Sequence, residues 1–249
     1  MQRYKCIISY DGTAFAGYQG QPNKRTVQGD IEAVLAKIHK GKEIRVHASG
    51  RTDAGVHAKG QVIHFESPLA IPVTRWALAM NSQLPNDISI LSVEKAESSF
   101  HARFDAIGKE YRYFVLQAND RDPFLRNYAY WYPHPLNIEA MIAGSKHLIG
   151  THDFTSFCSA KAEVEDKVRT IREIHLSEDD NLLVFYFKGN GFLYNMVRIL
   201  VGTLLEVGTG EKQPEDIAEI LAQKDRTVAG KTAPARGLYL WKVDYPKIL

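Results

Sequence analysis

The chain has 249 residues, 45% of them hydrophobic, with a formal charge of +2 and only two cysteines. That size suits one large domain or two ordinary ones with a sizeable core, and it excludes a disordered chain, a disulfide framework and a Cys-based zinc site. Residues 1–110 hold 14 basic and 11 acidic side chains, so a weak overall charge still leaves room for a basic face in the first half, to which Lys24, Arg25, Arg51, Lys59 and Arg75 contribute. Met1 to Lys5 open the chain without a cleavable apolar stretch. The longest apolar run, near Val197 to Leu205, is broken by Gly202 and Thr203. No membrane segment is therefore expected, and the protein is expected to be soluble and cytoplasmic. Cys6 and Cys158 read as core residues.

Tyr4 to Tyr10 alternates as a strand does, and an irregular stretch from Asp11 to Asn23 then mixes aromatics, amides and basic residues. Such mixing suits nucleic acid, with bases on rings and phosphates on cations, although packed loops use the same alphabet. Thr26 stands where a helix N-cap should be, before Val27, Ile31, Val34, Leu35 and Ile38 at helical spacing. Strands follow through Ile44, Val46 and Ala48 and through Val62, Ile63 and Phe65. A helix through Trp76, Ala79, Met80 and Leu84 and a strand from Ile88 to Val93 complete the order β, α, β, β, α, β. This is the split βαβ, or ferredoxin-like, arrangement.

A second pass through the same order is predicted beyond Arg103. It comprises a strand from Tyr111 to Leu116, a helix after Asn137 through Met141, Ile142 and Leu148, and strands Val168 to Leu176 and Leu182 to Phe187 about an Asp179-Asp180-Asn181 turn. A helix from Phe192 to Val207, an extra helix opened by Pro214 and a last strand near Leu238 to Val243 finish it. The expected fold is α+β: two ferredoxin-like halves, residues 1–104 and 105–249, forming one extended, mixed, mostly antiparallel sheet with helices on one face and a central cleft. The halves share element order without visible sequence similarity.

Ser49 to His57 holds one acid, Asp53, and one guanidinium, Arg51, between Gly50 and Gly55 on a short link between strands. A loop of that kind can hold a carboxylate at a fixed angle while a ligand comes close, and it is equally suited to a polar hairpin turn with an ion pair. The helix after Gly191 is apolar nearly all round, yet Arg198 lies in its middle. A buried guanidinium without a partner costs several kcal/mol, so an acid is required. Asp53 is one possible partner, with Tyr194 one turn earlier on the same face; Glu206 and Glu110 are alternatives.

Other chemistries lack their motifs. Gly189-Asn190-Gly191 has no third glycine at Tyr194 and no following Lys-Ser or Lys-Thr pair, so it reads as a turn rather than a nucleotide loop. His57, His64, His147 and His152 form no metal-binding spacing, and no Gly-x-Ser-x-Gly elbow supports a hydrolase triad.

Taken together, the motifs resemble those of tRNA pseudouridine synthases of the TruA type along nearly the whole chain. The resemblance is carried by Ser49 to His57, Phe15-Ala16-Gly17-Tyr18-Gln19 with Thr26-Val27-Gln28, Lys109-Glu110-Tyr111-Arg112-Tyr113, His152 to Phe157, Asn195-Met196-Val197-Arg198 and Ala233 to Leu238. The family usually has Trp where Tyr18 stands, a departure that keeps the aromatic ring. The resemblance implies conversion of uridine to pseudouridine at positions 38 to 40 in the anticodon stem-loop of tRNA, without cofactor or metal, by a homodimer that binds tRNA across both subunits. It makes Asp53 the catalytic carboxylate, Arg198 its ion-pair partner and Tyr111 the ring against the target base. Arg51 would hold the extruded nucleotide, and Leu238, Lys24 and Arg25 are the further expected substrate contacts.

The chemistry fits these residue types. Asp53 could attack C1′, remove a proton from C2′ or add to the base, and each route needs an ionised carboxylate that a nearby guanidinium favours. Two other readings are a non-catalytic RNA-binding protein on two ferredoxin-like sheets and a glycoside hydrolase with Asp53 as nucleophile. The first gives no reason for both Asp53 and Arg198, and the second lacks a nearby second carboxylate.

Overall fold

The computed structural model of the protein describes residues 1–162 and 164–246. It divides into two compact units, one made of Met1–Ile107 together with residues 239–246, the other of Gly108–Leu238.

The first unit opens with β1 (Gln2–Tyr10), α1 (Val27–Ile38), β2 (His47–Ala48), β3 (His57–Ser67), α2 (Val73–Asn81) and β4 (Ile88–Ala96). β1 pairs antiparallel with both β3 and β4, and β2 pairs antiparallel with β3, so the order β4-β1-β3-β2 is that of the expected split βαβ. The alternation in β1 buries Tyr4, Cys6, Ile8 and Tyr10 on one side. Trp76 of α2 meets the rings of Tyr4, Phe65 and His39, and Ile31 and Leu35 bring α1 into the same core. The Thr26 side chain accepts a hydrogen bond from Gly29 N–H at 3.2 Å, the expected N-cap of α1.

The second unit runs β5 (Gly108–Leu116), β6 (Tyr130–Trp131), α3 (Ile138–Lys146), β7 (Gly150–Asp153), β8 (Val168–Asp179), β9 (Leu182–Gly189), α4 (Met196–Gly208) and α5 (Asp216–Gln223). β5, β9, β8 and β7 pair antiparallel in that order, and β6 adds a short parallel pair to β5. The turn between β8 and β9 passes through Asp180 at φ +50°, a left-handed position that Asp tolerates. β6 and β7 have no counterpart in the sequence reading, being too short to show a period. α4 starts four residues later than expected because Asn195 is left-handed, φ +60°. Tyr194 consequently lies before the helix and is 45% exposed, not on the face of Arg198 as expected.

β10 (Leu238–Asp244) returns to the first unit, where Tyr239 and Leu240 pair in parallel with His57 and Ala58 of β3. The sequence reading gives this strand to residues 105–249; pairing across so long a separation leaves no mark in the local pattern. Five α-helices and a mixed, mostly antiparallel set of strands among the described residues make the protein α+β, as expected. No helix among those residues is long and apolar enough to cross a membrane.

Candidate active site

The Asp53 segment is a turn held from below by its neighbours in the first unit. Val56 N–H donates to Asp53 C=O at 3.1 Å, and Gly55 takes φ +76°, the conformation that requires glycine there. Gly50 needs no such freedom; its C=O accepts from Gln61 Nε2 at 2.8 Å. On one side of Asp53, the Thr52 hydroxyl is 2.8 Å from the buried Tyr10 hydroxyl, and Thr52 C=O accepts from Tyr18 N–H at 3.0 Å. Burial pushes the Tyr10 phenol up to about 12, so it stays protonated near neutrality. On the other side, His57 is buried, stacks on Tyr239 at 4.6 Å, and places Nδ1 3.0 Å from Gly12 N and 3.1 Å from an Asp11 carboxylate oxygen.

The backbone of residues 12–17 lies directly against this turn. A Cβ at Gly12 would come within 2.0 Å of Val56 O, and one at Gly17, where φ is +107°, within 2.9 Å of Thr52 O. Thr52 is buried, Asp53 half-buried and Arg51 exposed. The turn therefore anchors its neighbours and leaves the carboxylate at the boundary with solvent, where an anion can be held and still meet a ligand.

In the second unit, Arg198 projects from α4 and is half-buried rather than enclosed as its helix pattern suggested. Its Nε donates to Ala233 C=O at 2.7 Å and its Nη1 to Asn195 Oδ1 at 2.8 Å; Ala233 N–H returns a bond to Arg198 C=O at 3.0 Å. The segment Ala233 to Leu238 is further fixed by Tyr113, whose hydroxyl donates to Pro234 C=O at 2.7 Å and whose ring fills the place a Cβ on Gly237 would need. The alternative acids have partners elsewhere: Glu206 accepts from Lys231 N–H at 3.0 Å and lies 3.4 Å from Lys212 Nζ, and Glu110 binds Arg112 at 2.8 Å. Tyr111 of β5 is buried with its ring edge-to-face with Phe192 at 5.1 Å, and Leu238 is buried at the start of β10.

Of the first unit's expected substrate contacts, Lys24 and Arg51 are exposed. Arg25 grips Asp87 with two bonds of 2.7 and 2.8 Å, reaches Asp30 at 3.0 Å and lies over the Phe15 ring at 4.2 Å. The hydrogen bonds to Asp87 raise its pKa further, and its charge is matched by Asp87 before β4 and Asp30 on α1. Its visible work is to clasp the Phe15 loop that abuts the Asp53 turn.

The family model for tRNA pseudouridine synthase matches residues 6–105 and 145–246, spanning both halves of this geometry. The chain belongs to the tRNA pseudouridine synthases. It is 61% identical over 244 residues to a tRNA pseudouridine synthase A of Geobacillus sp. (strain WCH70), covering 98% of each chain. It is 59% identical to that of Geobacillus kaustophilus, covering 98% of this chain and 95% of the relative. To tRNA pseudouridine synthase A 1 of Bacillus cereus (strain ATCC 14579) it is 58% identical, over 98% and 99% of the two chains. As a pseudouridine synthase it is an isomerase that acts on uridine in tRNA.

Sequence reasoning missed the residues that brace this synthase's turn: Tyr10, Gln61, His57 and Asp11. Tyr10 and Gln61 look like ordinary strand positions; the register of β1 on β3 sets Tyr10 beside Thr52, and that of β2 on β3 sets Gln61 beside Ser49. One signal was available: a buried polar residue in a strand requires a partner.

Proposed function

We propose that this synthase isomerises uridines 38, 39 and 40 of the tRNA anticodon stem-loop, with Asp53 as the catalytic carboxylate, Arg198 as its ion-pair partner and Tyr111 as the ring against the target base. The reading is carried by one observation: Asp53 stands half-buried on a turn fixed by Tyr10, Tyr18 and Gln61 on neighbouring backbone and side chains. In the reaction the N1–C1′ bond breaks, uracil turns, and C5 bonds to C1′. C5 gives up a proton and N1 gains one, so nothing is oxidised and no co-substrate is consumed. Attack at C1′, proton removal at C2′ and addition to the base all call for the ionised carboxylate, which a guanidinium favours.

The target uridine must leave its stack to meet Asp53, and flipping costs a few kcal/mol. Tyr111 offers a flat face to the extruded base, with a phenol able to relay the C5 proton, while Arg51 and Lys24 supply exposed cations for phosphates and Leu238 an apolar contact. The working form is a cytoplasmic homodimer that holds one tRNA across both subunits. Mapping pseudouridine in unmodified tRNA transcripts tests the target. Conversion is expected at 38, 39 and 40 and is lost at each position replaced by cytidine; conversion confined to other positions contradicts it.

A further inference from the structure

The loop Phe100 to Asp105 in the first unit is more tightly built than a surface connection needs to be. His101 N–H donates to Asp105 Oδ2 at 2.8 Å, Asp105 N–H to His101 C=O at 3.1 Å, and Arg103 N–H to His101 Nδ1 at 3.1 Å. Ala102 is fully buried; its N–H donates to His64 Nδ1 at 3.1 Å and its C=O accepts from the Tyr245 hydroxyl at 2.5 Å. Arg3 Nη1 secures Phe100 C=O at 2.7 Å. At the tip of this frame stands Phe104, 75% exposed.

One face of the Phe104 ring is covered. His101 stacks on it at 4.2 Å with 29° between the planes; His64 lies edge-on to His101 at 4.7 Å, and His47 stacks on His64 at 4.9 Å. Phe104 thus ends a row of rings anchored on the buried His64, with exposed His47 at the other end, and its own exposure leaves room for a further ring. Arg103, also exposed, puts its guanidinium carbon 5.9 Å from the Phe104 ring centre. An apolar ring on a hydrogen-bonded loop, one face backed and a cation at its rim, is the arrangement that stacks nucleobases and meets their phosphates. A single ring is far too small for a subunit interface, which buries about 800 Å² per partner.

We infer that Phe104 is a stacking platform for an unpaired base of the tRNA other than the uridine being isomerised, with Arg103 on the adjoining phosphate. The inference rests on tRNA being the substrate and is independent of the role of Asp53. Phe104 is a positioning residue: it adds affinity and fixes the RNA without touching the reacting atoms.

The test compares wild type with Phe104→Ala, Phe104→Leu and Phe104→Trp on unmodified tRNA transcripts, reading KM and kcat separately, thermal midpoint and sedimentation. Because the side chain is exposed, all variants should fold with unchanged midpoints. Base stacking on an aromatic predicts a KM raised by about 5- to 100-fold in Phe104→Ala with kcat nearly unchanged. Phe104→Leu should share the defect, Phe104→Trp should restore KM, and its indole fluorescence should be quenched saturably by tRNA. Unchanged KM in Phe104→Ala, full rescue by leucine, or a change in sedimentation showing that the ring joins two copies would each overturn the inference. A wild type inactive on every tRNA would instead count against the proposed function.

Discussion

Tyr18 carries a buried hydroxyl with no hydrogen-bond partner among the described residues, while its backbone N–H and C=O serve Thr52 and Gln28. Burial pushes its phenol well above the usual range, so the group is a neutral, desolvated dipole. An unpaired buried hydroxyl destabilises a fold, whereas the ring and backbone here support the Asp53 turn. Tyr18→Phe should therefore raise the unfolding free energy by about 1 kcal/mol in urea titration and leave pseudouridine formation intact. A loss of stability would mean that the hydroxyl has a structural role. At this scale the turn that carries Asp53 was legible, because two glycines fall within nine residues between two strand patterns. Its supports were not, since nothing local distinguishes Tyr10 or Gln61 from core strand residues until β1 and β2 are registered against β3.

Elements with a clear period and a cap could be read from the chain: α1 begins at Thr26 and α3 at Asn137, whose side chain accepts from Ala140 N–H at 3.0 Å. The start of α4 could not, because the apolar run continues back through Phe192 while the left-handed Asn195 interrupts the helix. α4 also approaches the segment from Gly230 to Ala233 more closely than any pattern reveals. A Cβ at Gly202 would lie 1.7 Å from Lys231 O, within a few residues of the Ala233 carbonyl that Arg198 holds. Gly202→Ala should thus lower stability by about 3 kcal/mol and reduce activity as Arg198 is displaced. A variant with wild-type stability and turnover would show that this close approach is dispensable.

Across the whole molecule, element order was legible and the assignment of strands to units was not. The two helices of the first unit and its order β4-β1-β3-β2 follow from alternation, caps and connection rules. β10 departs from that logic: it lies some 180 residues beyond β3 in the chain, yet pairs in parallel with His57 and Ala58, at the foot of the Asp53 turn. Charge was the weakest guide. The excess of basic residues in the first half includes Arg25, which Asp87 and Asp30 occupy, and Arg3, which faces Glu66, so formal charge overstates what an RNA would meet.

In the proposed reaction Asp53 acts as an ionised carboxylate on a turn the fold holds in place. The most direct measurement is single-turnover pseudouridine formation by Asp53→Asn, an isosteric neutral change, alongside its affinity for the same tRNA. The expected result is a rate lowered by about 1,000-fold or more, with binding within a few-fold of wild type. Turnover close to that of wild type would contradict it.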